Sequence, residues 1–265
     1  NDGRHLYAAG AGWPNLPVNE FMCNPEPRIQ RWKEGLASII NSTAPSTDYD
    51  WTSYTAEIAQ PMISHEIGQW CVYPDFSEID KYTGVYKARN FEIFRDFLKN
   101  NGMSDLAGEF LYASGRLQTL CYKADIEAAL RTPRFGGFEL LGINDFTGQG
   151  TALVGPLNAF WEEKGYTDGE EYRHFCNDIV LLARMKKLVL NNSETFEAGI
   201  ETANFKSSIE GCDIHWQLKK DDGTTVDGGT FKSDVPLGNC NHVGDIRYDL
   251  SSIDVPTCLT LEVSM

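Results

Sequence analysis

The order of apolar and polar positions divides the chain near residue 187. Before that point, short apolar runs alternate with long stretches of helical period, which predicts a βα architecture. Leu6-Tyr7-Ala8-Ala9 reads as a strand leading into the loop Gly10-Ala11-Gly12-Trp13-Pro14. Residues 28–40 read as a helical turn or an irregular loop, and residues 48–55 as a short strand and a helix start. Met62-Ile63-Ser64 is the next strand. Phe91, Phe94, Phe97 and Leu98 then share one face of a helix that Gly102 stops. Residues 104–130 keep the helical period, with Leu106, Phe110, Leu111, Leu117, Leu120 and Ile126 as the expected core, until Pro133 ends the run. Residues 136–143 read as another strand, closing on Asn144-Asp145, and residues 168–186 as a last helix.

After Lys187 the pattern becomes all-β. Alternating runs cover 196–203, 213–219, 225–231, 244–250 and 258–263, with turn signals at Asp222-Gly223 and Asp227-Gly228-Gly229. Five or more strands in about 75 residues predict a small immunoglobulin-like β-sandwich, with Trp216 in its core. A complete (β/α)8 barrel takes ~250 residues. Residues 1–186 therefore predict a partial TIM barrel, and 187–265 the sandwich.

Composition narrows the function classes. The chain has 265 residues, 42% of them hydrophobic, which is ample for a packed core. Its net charge of −15 argues against nucleic acid and against a polybasic membrane contact. No apolar run approaches the ~20 residues of a membrane-spanning helix. The seven cysteines are scattered without metal-ligand spacing, although Cys212, Cys240 and Cys258 lie near enough in sequence for one bridge. The abrupt start at Asn1, close to an expected strand, suggests a processed or truncated product without its own targeting signal.

The chemistry-bearing residues collect at strand ends. In a parallel barrel, a carboxylate at the C-terminal end of a strand points into the active-site mouth. Glu66 has that position in Pro61-Met62-Ile63-Ser64-His65-Glu66-Ile67-Gly68; the bland reading is a glutamate paired with a nearby Arg or Lys. His65 suits an orienting hydrogen bond. A zinc motif His-Glu-x-x-His fails here, because position five is Gln69 and Gly68 interrupts the segment. Asn144 and Asp145 end a second strand at the same expected mouth, to bind sugar hydroxyls, to hold Glu66 and His65, or simply to cap the loop. Gly148-Gln149-Gly150 lacks the spacing of a phosphate loop. Trp13 and Trp70 are candidate platforms for a sugar ring. Glu20, in a proline-rich loop, is a weaker candidate for a second carboxylate. No Gly-x-Ser-x-Gly nucleophile elbow is present.

These residues resemble glycoside hydrolase family 2, the β-galactosidase and β-glucuronidase group. The run Pro61 through Gly68 looks like that family's nucleophile strand. Gly136-Gly137-Phe138-Glu139-Leu140-Leu141, with Asn144-Asp145 and Gly148-Gln149-Gly150, looks like its last barrel strand. The run from His65 to Gly84 also resembles family 2-like glycan-degrading proteins of gut Bacteroidetes. The chain departs from the family at His65 and at Leu140 and Leu141, where the last strand usually carries a tryptophan. The resemblance implies the C-terminal part of a retaining glycosidase: barrel strands five to eight followed by a sandwich. Glu66 would be the nucleophile and an acid/base would lie upstream of Asn1. His65, Trp13, Trp70, Asn144, Asp145 and Gln149 would bind an oligo- or polysaccharide, with no metal or cofactor. It implies a periplasmic or secreted protein, with little activity in the isolated chain and open barrel edges available for self-association. The competing expectation is a non-catalytic carbohydrate-binding or structural module.

Overall fold

The computed structural model describes residues 2–12 and 14–265. Its α/β part is built on three parallel strands, β1 (Met22–Asn24), β2 (Met62–Ile67) and β3 (Phe135–Leu140), adjacent in that order. Short helices α1 (Ile39–Ser42) and α2 (Thr52–Thr55) interrupt the connection from β1 to β2. The connection from β2 to β3 holds α3 (Arg89–Asn100) and α4 (Ala107–Leu130), the long crossover that parallel pairing requires. A short helix α5 (Gly169–Arg173) follows, capped by the Asp168 side chain, which accepts from the Glu171 N–H.

Two antiparallel sheets complete the chain. One is ordered β4 (Ile179–Arg184), β5 (Thr195–Asn204), β8 (Gly238–Asp249); the other β7 (Thr225–Val235), β6 (Ile209–Lys220), β9 (Leu259–Ser264). They enclose Phe196, Ile200, Leu218 and Ile246, with Trp216 packed on that cluster and stacked on Phe231. Each of the five alternating runs expected after Lys187 overlaps one of these strands, with Leu250 and Cys258 just beyond the ends of β8 and β9.

The α/β part differs from expectation first in its strands. The helix expected over 168–186 is confined to α5, because Ile179-Val180-Leu181-Leu182 forms β4 with Val180 and Leu182 buried inward. Alternate burial of an apolar run that opens on β-branched Ile179 and Val180 suits a sheet better than a helix. Residues 6–9 form no strand; the Tyr7 N–H donates to the Glu20 carboxylate and Tyr7 O accepts from the Glu20 N–H, holding an exposed loop. The sheet described therefore has three strands where the resemblance implies four.

In α4, Leu117 and Leu120 are exposed, at 61% and 55%, while Gln118, Thr119, Tyr122, Asp125 and Ile126 face inward. The reason is what α4 packs against. Irregular chain after β2 and around Leu153 and Val154 presents backbone carbonyls, and buried carbonyls need donors. Gln118 Nε2 donates to Trp70 O (2.7 Å) and Val154 O (3.0 Å), and the Tyr122 hydroxyl contacts Gly68 O (3.1 Å) and Val154 O (2.8 Å). In α3, likewise, Phe91 and Leu98 are buried but Phe97 is exposed.

One core cluster joins the two parts: Ile67, Tyr122 and Ile126 pack with Phe175, Val180, Leu182 and Ala203. Full burial of each such side chain contributes about 1.5–3 kcal/mol. Arg184 reinforces the joint, donating to Glu201 (2.6 Å), Asp50 (3.2 Å) and Arg131 O (2.7 Å). All seven cysteines are free, including the late trio.

Gly68 has φ +90°, and a Cβ added there would fall within the Tyr122 ring. Gly68→Ala is expected to destabilise the fold by about 3 kcal/mol through strain and overpacking, read as a lowered midpoint in urea unfolding.

Candidate active site

The site forms where the central strand loses register. Ser64 pairs with Phe138 and Ile67 with Leu140, so His65 and Glu66 together stand opposite the single residue Glu139. This is a bulge, a feature that re-aims side chains. Glu66 takes φ +51°, a left-handed conformation that costs a non-glycine residue about 1–3 kcal/mol. Consecutive residues of a regular strand point to opposite faces. Here His65 Nε2 lies 3.6 Å from Glu66 Oε1, on the same side.

Glu139 is the centre of the cluster. Its Oε1 contacts His65 Nδ1 and accepts from the Cys23 thiol (3.1 Å) on β1. Burial pushes the Glu139 carboxyl up, but the bonds from His65 and Cys23 outweigh it and hold it below the usual range. Burial, and then the bond to Glu139, push the Cys23 thiol up to about 12. Arg28 lies beneath, its guanidinium donating to the His65 carbonyl, and so pins the bulge from the protein side.

A cleft of about 200 Å³, lined by Arg28, Trp32, Gln69, Trp70 and Asp125 among others, meets this cluster through Arg28 and through Gly68 at the end of β2, while Glu66, His65 and Glu139 are not among its lining residues. Trp32 is 77% exposed, and its Nε1 donates to Gln69 Oε1 (3.2 Å). Asp125 reaches up from α4 and accepts from the Ile29 N–H (2.7 Å), fixing the loop that carries Arg28. Its other oxygen and Arg28 Nε are buried without a partner among the described residues. Burial raises the Asp125 carboxyl to about 7. Aromatic surface beside the side-chain amide of Gln69 suits a polyhydroxylated ligand.

The residues expected at the mouth lie in different surroundings. Glu66 and His65 are together at the end of β2, with Glu66 about half exposed. Trp70 is partly buried, edge-on to Tyr122 at 5.5 Å, and lines the cleft. Trp13 lies outside the described residues. Asp145 is 4% exposed, and its carboxylate contacts Lys164 Nζ (2.7 Å) and the Gly155 N–H (3.0 Å). Burial raises Asp145 and lowers Lys164, each against the pull of the other. Among the described residues no hydrogen bond or ion pair links Asp145 to Glu66 or His65. Asn144 donates to Asp145 O, and Gln149 sits on an exposed turn over a second small cavity near Asn90 and Phe91.

Sequence reasoning missed Glu139, Cys23, Arg28, Trp32 and Asp125. Glu139 carries the one local signal, a charged residue inside an apolar strand. Cys23 and Glu139 are 116 residues apart, and no motif spacing reports such a contact.

Comparison with known proteins gives limited likeness. A family model described as a domain of unknown function (DUF8488) matches residues 194–265, the sandwich from β5 onward. Curated protein sequences give no match. Among solved structures, a β-D-mannosidase from Dictyoglomus thermophilum aligns with TM-score 0.48 and 13% identity over 83% of this chain. Two structures of a Parabacteroides merdae β-glucuronidase, one with glycerol in its active site, align with TM-scores of 0.25 and 0.23 over 33% of this chain, at 16% and 13% identity. The chain spans 30% of the mannosidase and 12% and 14% of the two glucuronidase chains.

Two stability predictions follow from the geometry. The Asp125 carboxyl is near 3.8 unfolded and about 7 folded, so between those values only the unfolded state loses its proton. Its contribution is intact below about pH 4 and lost as pH rises to about 7, by about 1 kcal/mol per unit. Asp125→Asn keeps the acceptor for Ile29 and is expected to flatten that fall, measured by denaturant unfolding at pH 4.5 and 7.5. Glu66→Gly relieves the left-handed strain and is expected to raise stability by about 1 kcal/mol in the same assay.

Proposed function

We propose that this chain is part of a retaining glycoside hydrolase in which Glu66 is the nucleophile, acting on an oligo- or polysaccharide. The observation that carries this is the setting of Glu66: a strained, half-exposed carboxylate at the C-terminal end of the central parallel strand, beside an aromatic cleft. Backbone strain of this kind concentrates at working residues. A retaining mechanism needs a second carboxyl group, protonated at the start of the cycle to release the leaving group. Glu139 is the carboxyl nearest in the bonded cluster, and its partners favour the ionised form, which unsuits it as that acid. The acid/base is therefore proposed to come from sequence outside these residues, completing a barrel of which β1–β3 are a part.

In this reading Glu66 attacks the anomeric carbon, and the other carboxyl protonates the departing oxygen and then deprotonates the water that releases the sugar. His65 orients Glu66 from one side. Trp32 and Trp70 shape the cleft that receives the rings, and Arg28 and Gln69 offer donors to hydroxyls. The whole protein is proposed to be periplasmic or secreted.

The test uses the full-length gene product and a panel of aryl glycosides. Glu66→Gln is expected to lower turnover on the order of 10³-fold or more, as loss of a covalent nucleophile does. A fluoro-sugar mechanism probe is expected to label the peptide that carries Glu66, read by mass spectrometry. Undiminished turnover, or label on another residue, would overturn the assignment. Glycan binding with no turnover by the full-length protein would favour the non-catalytic carbohydrate-binding module.

A further inference from the structure

We infer that Cys23, His65 and Glu139 form a binding site for a divalent zinc-class cation. One donor comes from each of the three parallel strands: the Cys23 thiol from β1, His65 Nδ1 from β2 and a Glu139 carboxylate oxygen from β3. The three donor atoms lie within 4.8 Å of one another, close enough to share one ion. The register explains the convergence. Cys23 pairs with Ile63 and Ser64 with Phe138, so His65, two residues on from Ile63, lies on the face of Cys23 and next to Glu139, and the extra residue of the bulge, Glu66 at φ +51°, comes after it.

The donor set selects the ion. Sulfur, imidazole nitrogen and carboxylate oxygen together suit Zn²⁺ and its spectroscopic substitute Co²⁺, whereas Mg²⁺ and Ca²⁺ prefer oxygen alone. Three protein ligands leave a fourth position open to solvent, the arrangement of sites that hold a water. Binding requires the thiolate, so the Cys23 proton leaves to solvent as the metal–sulfur bond forms.

Two further observations favour a cation here. Among the described residues no lysine or arginine pairs with Glu139, so its charge has only a thiol and an imidazole for company. The geometry around His65 is also that of a supported ligand. A metal on Nδ1 fixes the tautomer with the proton on Nε2, and Nε2 faces Glu66 at 3.6 Å. A carboxylate behind a ligating imidazole is the usual outer partner of a zinc histidine. Arg28 holds the His65 carbonyl, and Gly12 packs along the ring, where an added Cβ would meet His65 Cδ2 at 3.5 Å.

This site shares His65 with the glycosidase proposal but does not rest on it, and its test reads no activity. The reduced, untagged chain is titrated with Co²⁺ alone while thiolate-to-cobalt charge transfer is followed in the near ultraviolet, and with Zn²⁺ by calorimetry. The expected result is one equivalent per chain, with the charge-transfer band abolished by Cys23→Ser and unchanged by Cys71→Ser. Glu139→Gln, at a half-exposed side chain, removes the carboxylate ligand and is expected to weaken Zn²⁺ binding at least tenfold. It carries the test if circular dichroism finds Cys23→Ser unfolded. Absence of saturable uptake, a band that survives Cys23→Ser in a folded chain, or unchanged affinity in Glu139→Gln would overturn the site.

Discussion

In a regular strand His65 and Glu66 would point to opposite faces of the sheet, and no site could form around both. The candidate site depends on the register break between Ser64 and Ile67, which sets two residues of β2 against Glu139 alone. The break is held from below by Arg28 on the His65 carbonyl and is left through Gly68, whose φ of +90° turns the chain onto Tyr122. Strain at Glu66 persists because both flanks are fixed: Met62 and Ile67 are buried in the core clusters on either side of it. A one-residue slip would return Glu66 to the ladder and carry the apolar residues of β2 out of the core, so hydrophobic burial keeps the bulge in place.

That burial is supplied largely by α4, which is not the amphipathic helix its leucines suggest. Its inner stripe mixes Tyr122, Ile126 and Ala129 with Gln118 and Asp125. The polar members attach irregular chain: Gln118 binds the carbonyls of Trp70 and Val154, and Asp125 binds the Ile29 N–H. The segments carrying Arg28, Trp32 and Trp70 are loops, which a sheet cannot position through its own ladder. Side-chain bonds from a rigid helix do that work at the cost of a buried carboxyl whose proton affinity is raised. The exposed Leu117 and Leu120 are the other consequence, since the inward face is occupied.

Legibility followed the range of the interactions. The sandwich strands were readable because alternation and turn residues are local signals, and Trp216 was readable as an inward position among polar neighbours. The end of β2 was readable for the same reason: an apolar run closing on polar residues and a glycine. The bulge, which decides where Glu66 points, is a relation between β2 and β3 and has no signature in either alone. The pairing of Asp145 with Lys164 is equally non-local, so a strand-end aspartate that looked available for hydroxyls lies buried against a lysine. In β4 the sequence was locally ambiguous. Its four apolar residues fit either period, and the partner β5 decided it. Cysteine spacing carried no metal pattern because Cys23 meets its neighbours only through the sheet.

One imidazole links the two proposals, and its two nitrogens keep them compatible. Nδ1 faces Glu139 and Nε2 faces Glu66. A cation on Nδ1 would draw the ring proton to Nε2, where it would hydrogen-bond Glu66. Such a bond orients the carboxylate while withdrawing some of its negative charge. A nucleophile benefits from the first effect and loses from the second, so the occupancy of the Cys23–His65–Glu139 cluster would tune Glu66 without touching substrate. The same bond without a metal needs a protonated ring or the tautomer that leaves Nδ1 bare toward the Glu139 carboxylate, which is repulsive. A cation between Cys23, His65 and Glu139 removes that conflict, which makes the bulge cluster more self-consistent with the ion than without it.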